Sequence, residues 1–201
     1  MRARICTVFI MIAFLVGCTG MKPTDFVNTA PKLAIEQYFD GETRASGIFE
    51  DRFGRVRRQF TVDITGTVKG DTLVLDERFH YSDGETDRRV WTITKTGPNR
   101  YEGRANDVVG VATGEASGNA LNWQYEMDLK VGVSTLRVHF NDWMFLQPSG
   151  VLINRARVTK FGIEIGQVTL AFTRLALRAA NAPGAVSRPA DAAELPQAAN
   201  R

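Results

Sequence analysis

The sequence predicts an all-β fold, an antiparallel up-and-down β-barrel preceded by one short helix. Apolar and polar residues alternate from Leu121 to Val131, which is typical of a strand with one buried and one solvated face. Turn dipeptides such as Asp83-Gly84 and Gly118-Asn119 separate the strand-like segments, and such short connections join antiparallel neighbours. The other strand-like segments are 56–68, 73–81, 90–96, 136–145, 151–159 and 168–172.

Closure of the sheet follows from the number and length of the strands. We expect about eight to ten strands of roughly ten residues, or about 33 Å each. An open sheet of this size would leave two unpaired edges, which a barrel removes. A two-sheet sandwich is the competing architecture. A transmembrane barrel is disfavoured, because it would turn the apolar face outward.

The first 18 residues have the layout of a secretory signal. Two arginines precede an apolar run from Ile5 to Val16, and the segment ends in Leu15-Val16-Gly17-Cys18. This ending resembles the lipobox, after which a bacterial signal peptidase leaves the cysteine as a lipidated first residue. The alternative is a buried cysteine after a membrane span, but about 12 apolar residues fall short of the roughly 20 that cross a bilayer. We predict a signal peptide over residues 1–17 and lipidation of Cys18.

The predicted ordered domain lies between two segments that lack core-forming patterns. Residues 18–30 are predicted to be a lipidated tether. Residues 179–201, rich in Ala, Pro and Asn, are predicted to be a disordered tail, because they lack the large apolar residues that a core needs. The barrel domain is assigned to residues 31–178. Its one helix is predicted over Pro31–Tyr38, with proline at an early helical position and Asp40-Gly41 as the stop.

Charge and cysteine content narrow the classes of function. The formal net charge is +3, and removal of Arg2 and Arg4 with the signal leaves about +1. A nearly balanced surface argues against nucleic-acid binding, which needs clustered cations. Cys6 lies within the signal, so Cys18 is the one cysteine left. The exported domain is therefore predicted to hold together without an internal disulfide.

Three charged residues fall on the same face of their predicted strands as the apolar residues: Arg58, Glu77 and Arg89. If the strands are neighbours, all three side chains point into the barrel, where an unpaired charge is costly. One interpretation is a salt-bridge cluster at the barrel mouth. The other is a polar anchor for a ligand head group, in which case Arg58→Ala and Arg89→Ala abolish binding of an anionic lipid and leave the fold intact.

Large side chains are candidates for the wall of the same interior. Trp91, Trp123 and Tyr125 occupy inward positions and complete the candidate ligand-binding set. A barrel of about eight strands is either filled by side chains or just wide enough for a small ligand, so core packing is the competing role. Trp143 falls at an outward position. Either a bulge at Asn141-Asp142 or a contact with a membrane or partner would explain it.

The sequence motifs indicate neither catalysis nor a metal or cofactor. The chain contains no Gly-x-Ser-x-Gly, Gly-Lys-Ser/Thr or His-Glu-x-x-His sequence. Both histidines, His80 and His139, fall at outward positions, which disfavours a shared metal. Asp83, Glu85 and Asp87 crowd one turn, where calcium binding is the alternative to a solvated turn. We expect no catalytic residue and a protein that is not an enzyme.

Several stretches together resemble an uncharacterised bacterial family of lipoproteins known only as a domain of unknown function. They are 38–41, 47–54, 83–85, 89–91, 101–103, 107–110, 118–123, 141–144, 154–155 and 160–162. The likeness covers roughly Thr24 to Arg174. In lipoproteins of this kind a residue other than Asp after the cysteine, here Thr19, implies transfer to the outer membrane. The predicted architecture is also similar to the calycin barrels, lipocalins included, although no Gly-x-Trp opens the barrel.

These observations leave two hypotheses about function. The first is a membrane-anchored protein that binds or carries an apolar or lipid ligand in the cell envelope. The second is a structural or assembly factor that binds another envelope protein through its outer face. In either case we expect the protein at the inner leaflet of the outer membrane, facing the periplasm, held there by its lipid.

Overall fold

A computed structural model describes residues 20–131 and 134–175, apart from the side chain of Val131. In this part of the chain ten antiparallel strands form a closed barrel. The strands are β1 Gly41–Asp51, β2 Val56–Lys69, β3 Thr72–Tyr81, β4 Thr86–Gly97, β5 Arg100–Arg104, β6 Val108–Ser117, β7 Ala120–Val131, β8 Ser134–Leu146, β9 Leu152–Lys160 and β10 Ile163–Arg174. The predicted signal peptide, Cys18 and the tail 179–201 lie outside the described residues.

Every strand pairs with its neighbour in sequence, and the last strand closes the barrel on the first. The β1–β10 seam runs in register from Thr43 opposite Arg174 to Asp51 opposite Gly166. This topology confirms the predicted up-and-down barrel and excludes the sandwich. Strands β1, β5 and β6 do not coincide with any of the strand-like segments predicted from the sequence. The reason is that β5 has only five residues, and that β1 and β6 carry threonine, alanine and glycine at inward positions where large apolar residues would mark a buried face.

The predicted helix over Pro31–Tyr38 is shorter in the structure. Helix α1 spans Ile35–Tyr38 only. Ala34, directly before it, has extended backbone, and the backbone N–H of Leu33 donates to the carbonyl of Gly118 at 2.8 Å, which ties this segment to the β6–β7 turn. Within the described residues, none of the helices has the length and apolar character needed to cross a membrane.

The predicted tether over 18–30 is packed against the barrel from Pro23 onward. Pro23–Phe26 form a 3₁₀ helix, and the ring of Phe26 lies 5.6 Å from that of Trp143 and 5.4 Å from that of Phe145, measured between centroids. The hydroxyl of Thr29 donates to the carbonyl of Phe26 at 2.7 Å. Trp143 therefore does point outward, and the N-terminal segment of the same chain buries it.

The two ends of the barrel differ. Helix α1 covers the end that carries the β2–β3, β4–β5, β6–β7 and β8–β9 turns, where the hydroxyl of Tyr38 donates to the carbonyls of Gly150 at 3.1 Å and Phe172 at 3.0 Å. We call this the closed end. The opposite end, the mouth, carries the β1–β2, β3–β4, β5–β6, β7–β8 and β9–β10 connections. The mouth is therefore the end through which a ligand would enter the barrel.

Candidate functional site

The barrel encloses a cavity of about 640 Å³ that extends from helix α1 to the mouth. Ile35 and Phe39 line it at the closed end, and Tyr81, Asp83 and Glu85 line it at the mouth. Most of its wall is aliphatic or aromatic, so the interior is only partly filled by side chains. All six predicted ligand-binding residues line this cavity: Arg58, Glu77, Arg89, Trp91, Trp123 and Tyr125. Their role in binding stays a prediction.

Three predicted aromatic residues form one cluster on the cavity wall. The ring of Trp91 meets that of Trp123 edge-on at 5.7 Å and that of Tyr125 edge-on at 5.3 Å. Glycine on the neighbouring strand makes room for this cluster, because a Cβ at Gly103 would lie 2.6 Å from the indole of Trp123. The three rings therefore pack in the edge-to-face geometry that aromatic side chains favour, with the indole of Trp123 directly against the backbone at Gly103.

Arg89 and Glu77 face each other inside the barrel, with Asp107 as a third partner. The Nε of Arg89 donates to Oδ2 of Asp107 at 2.9 Å, and its Nη1 lies 3.9 Å from Oε2 of Glu77. Burial raises the pKa of Glu77 to about 7, although the charge of Arg89 opposes this rise. Burial by itself would lower the pKa of Arg89. The charge of Glu77 and the hydrogen bond to Asp107 raise this pKa by more than burial lowers it, so the guanidinium remains charged.

Arg58 does not join this pair. It lies at the mouth, where its Nη2 donates to Asp83 at 3.0 Å and to Glu85 at 2.5 Å. Its guanidinium also sits 3.7 Å above the ring centre of Tyr81. The predicted trio is thus split into a deep group and a mouth group. Since carboxylates already occupy both arginines, neither is a free anchor for an anionic head group.

A second buried polar group lies on the opposite wall. The Nδ2 of Asn154 on β9 donates to Oδ2 of Asp142 on β8 at 3.4 Å, and both residues line the cavity. Burial raises the pKa of Asp142 to about 7, and the hydrogen bond from Asn154 limits the rise. Burial also raises the pKa of Tyr125 well above its usual value, and the charge of Asp142 adds to that shift.

Sequence reasoning missed Asp107, Asp142 and Asn154 as site residues. The alternation along a strand that placed Arg89 on the inward face also places two of these residues there. Asp142 alternates inward with Phe140 and Met144, and Asn154 alternates inward with its strand neighbours. Asp107 carries no such signal, because it lies in the connection between β5 and β6. Only the fold brings it to Arg89.

Two neighbouring connections at the mouth expose apolar side chains next to cations. Phe53 is 72% exposed and Phe161 is 93% exposed. The guanidinium of Arg52 lies 4.7 Å from the ring centre of Phe53, and the ammonium of Lys160 lies 5.1 Å from that of Phe161. A hydrogen bond from the N–H of Arg52 to the carbonyl of Ile165, at 3.1 Å, ties the β1–β2 connection to the first residues of β10, directly after the connection that carries Phe161.

The acidic residues of the β3–β4 turn, Asp83, Glu85 and Asp87, and the two histidines were considered above as possible metal ligands. Within residues 20–131 and 134–175, no group of three or more histidine, cysteine, aspartate or glutamate side chains has the geometry to hold a metal. Asp83 and Glu85 instead pair with Arg58. The Nε2 of His80 lies 3.4 Å from Asp63 on the outer surface.

Comparison with known proteins agrees with this architecture. The chain is similar to an S-type phycobiliprotein lyase from Guillardia theta, with 10% sequence identity and a TM-score of 0.51 over 77% of this chain and 98% of the lyase. At such low identity the likeness shows a shared calycin-like barrel fold. None of the curated proteins matches the chain. The family model of DUF3833, described as a protein of unknown function, matches residues 12–174, and the chain therefore belongs to this family.

Proposed function

We propose that this protein binds an apolar or amphipathic small molecule, such as a lipid, inside its barrel. The observation that carries the proposal is the cavity of about 640 Å³ with its largely apolar and aromatic wall. Small-molecule sites typically have volumes of about 300–1,000 Å³, apolar walls and a few polar groups that orient the ligand. The deep group of Glu77 and Arg89 and the pair of Asp142 and Asn154 fit that description.

The proposal extends to the cellular setting. We place the protein in the bacterial cell envelope, anchored through a lipid on Cys18 at the inner leaflet of the outer membrane and facing the periplasm. The lipobox-like segment Leu15-Val16-Gly17-Cys18 supports the anchor. Exposed Phe53 and Phe161, each beside a cation, suit a mouth that works close to a lipid surface.

Native mass spectrometry of the protein purified from its own cells tests the binding function. The wild-type barrel is expected to retain a small apolar molecule. Ala156→Phe, which projects a ring from the cavity wall, should lose it. Ala171→Phe is the matched control, because Ala171 is exposed on the outer face of β10. Circular dichroism verifies that both variants keep their strands.

Two results would contradict the binding function. One is an empty wild-type barrel in every preparation; the other is equal ligand content in wild type and Ala156→Phe. An empty barrel together with loss of a defined envelope complex in a deletion strain would favour the assembly-factor hypothesis instead.

Metabolic labelling with palmitate tests the anchor separately. The wild-type chain should incorporate the label, whereas Cys18→Ala should not. Label in the variant, or none in the wild type, would contradict lipidation at this residue and leave the binding function untouched.

A further inference from the structure

Two buried oxygens in the cavity wall lack a hydrogen-bond partner among the described residues. They are Oδ1 of Asp142 and Oδ1 of Asn154. Asp142 is only 4% exposed and Asn154 only 3% exposed, and both line the cavity. Buried polar atoms in proteins are nearly always paired, and an unpaired one is costly. Two such atoms, in side chains that contact each other across the neighbouring strands β8 and β9, therefore indicate a place where a ligand supplies the missing donor.

The surrounding charges indicate the sign of that ligand group. Two carboxyl groups, those of Glu77 and Asp142, and one guanidinium, that of Arg89, line the cavity, and a third carboxyl group, that of Asp107, reaches Arg89 from the connection between β5 and β6. Arg89 is already engaged by Asp107 at 2.8 Å and by Glu77 at 3.9 Å. Above about pH 7, where Glu77 and Asp142 are ionised, an anionic group would meet uncompensated carboxylates there, whereas a hydroxyl or amine would meet acceptors.

The wall between this pair and the mouth is suited to a hydrocarbon chain. Phe60, Phe79 and Leu129 line the cavity on strands that rise to the mouth. The rings of Phe60 and Phe79 lie 6.0 Å apart. An elongated amphiphile can therefore enter with its polar end first and leave its apolar body against these side chains.

We infer that Asp142 and Asn154 form a subsite for the hydrogen-bond-donating end, a hydroxyl or an amine, of an otherwise apolar ligand. The inference rests on the proposed ligand-binding function and specifies its ligand class. It also replaces the anionic lipid expected from the inward arginines with a neutral or cationic amphiphile.

A competition between matched probes tests the subsite. The full-length protein in detergent micelles is mixed with equal amounts of 1-dodecanol and dodecyl methyl ether, and native mass spectrometry separates the two complexes by mass. The ether keeps the chain and the oxygen but has no donor. The alcohol should bind about 10-fold more tightly or better, as expected for a hydrogen bond to a buried carboxyl group. Dodecylamine should also outcompete dodecanoate.

Variants assign the preference to the pair. The double variant Asp142→Leu/Asn154→Leu should bind both probes with similar affinity, because the chain site remains and the acceptors are gone. Asp128→Leu is the control, since it removes an aspartate from the outer wall, where it pairs with Arg137. It should keep the wild-type preference.

The outcomes separate this inference from the function on which it rests. Equal binding of alcohol and ether by the wild type, or tighter binding of dodecanoate than of the alcohol, overturns the subsite but not the cavity's function. Failure of every probe to bind overturns both. The wild-type competition needs no variant, so it decides the matter even if the double variant does not fold.

Discussion

Arg89 on β4 reaches Asp107, in the connection between β5 and β6, with its Nη2 2.8 Å from the carboxylate Oδ2. The same guanidinium lies 3.9 Å from Glu77 on β3. One cation thus joins a strand on one side of β4 to a connection at the mouth on the other side. Arg89 is therefore a structural link within the cavity wall, and its substitution should act on stability before it acts on ligand binding.

Arg89→Ala should lower the free energy of unfolding by about 3–5 kcal/mol, because it leaves two carboxylates without their cation. Urea unfolding followed by tryptophan fluorescence measures this change. Arg88→Ala is the control: the neighbouring side chain is 62% exposed and pairs with Asp76 on the outer surface. Its loss should change the free energy of unfolding far less than the loss of Arg89, because solvent screens an exposed ion pair. Equal stability of the two variants would contradict the structural role of Arg89.

Stability should fall as the pH rises from about 4.5 to about 7. The pKa values of Glu77 and Asp142 rise from their ordinary 4.5 and 3.8 to about 7 in the folded protein. In this interval the folded chain retains protons that the unfolded chain has released, so raising the pH favours unfolding. Above about pH 7 both states are ionised and the dependence should level off.

The variant Glu77→Gln/Asp142→Asn should flatten this pH dependence, because neither amide titrates. The measurement is the free energy of unfolding in urea at pH 5 and at pH 7.5, for wild type and variant. A wild-type protein that gains stability over this interval, or a variant with an unchanged slope, would contradict the assignment of these two carboxyls.

Gly103→Ala should disturb the aromatic cluster. The added Cβ would lie 2.6 Å from Cζ2 and 2.8 Å from Cη2 of Trp123, so the indole must move into the cavity. We expect a loss of about 1–3 kcal/mol of stability, as for other overpacked cores, and weaker binding of the apolar dye Nile red. Gly97→Ala is the control, because the nearest atom to its Cβ is 3.8 Å away. Unchanged dye binding in Gly103→Ala would show that Trp123 does not shape the cavity.

Phe26→Ala should loosen the N-terminal segment from the barrel. Phe26 packs on Trp143 and Phe145, and loss of this half-buried ring should cost about 1–2 kcal/mol. Hydrogen–deuterium exchange of residues 22–33 should become faster, including the N–H of Leu33 that donates to Gly118. Val27→Ala, at a side chain that is 62% exposed, should change neither quantity. Unaltered exchange in Phe26→Ala would mean that this ring does not hold the segment.

Much of the cavity wall could be predicted, because the alternation of apolar and polar residues along a strand indicates which side chains point inward. That rule assigned Arg58, Glu77 and Arg89 to the interior, where the structure has them. It could not say which of them meet. The distance between two inward residues depends on the register of all the strands between them, and Arg58 proved to pair with Asp83 and Glu85 at the mouth.

The amino-acid sequence alone determined the class of fold, because an alternation with period two and short glycine turns permit only sequential antiparallel pairing. It also indicated an outward position for Trp143, although a bulge that would turn this residue inward stayed open until the structure was known. The tertiary structure decided what covers that residue, where Asp107 comes to lie, and that the interior remains partly open. These features arise from contacts between segments far apart in the chain, and no local pattern records them.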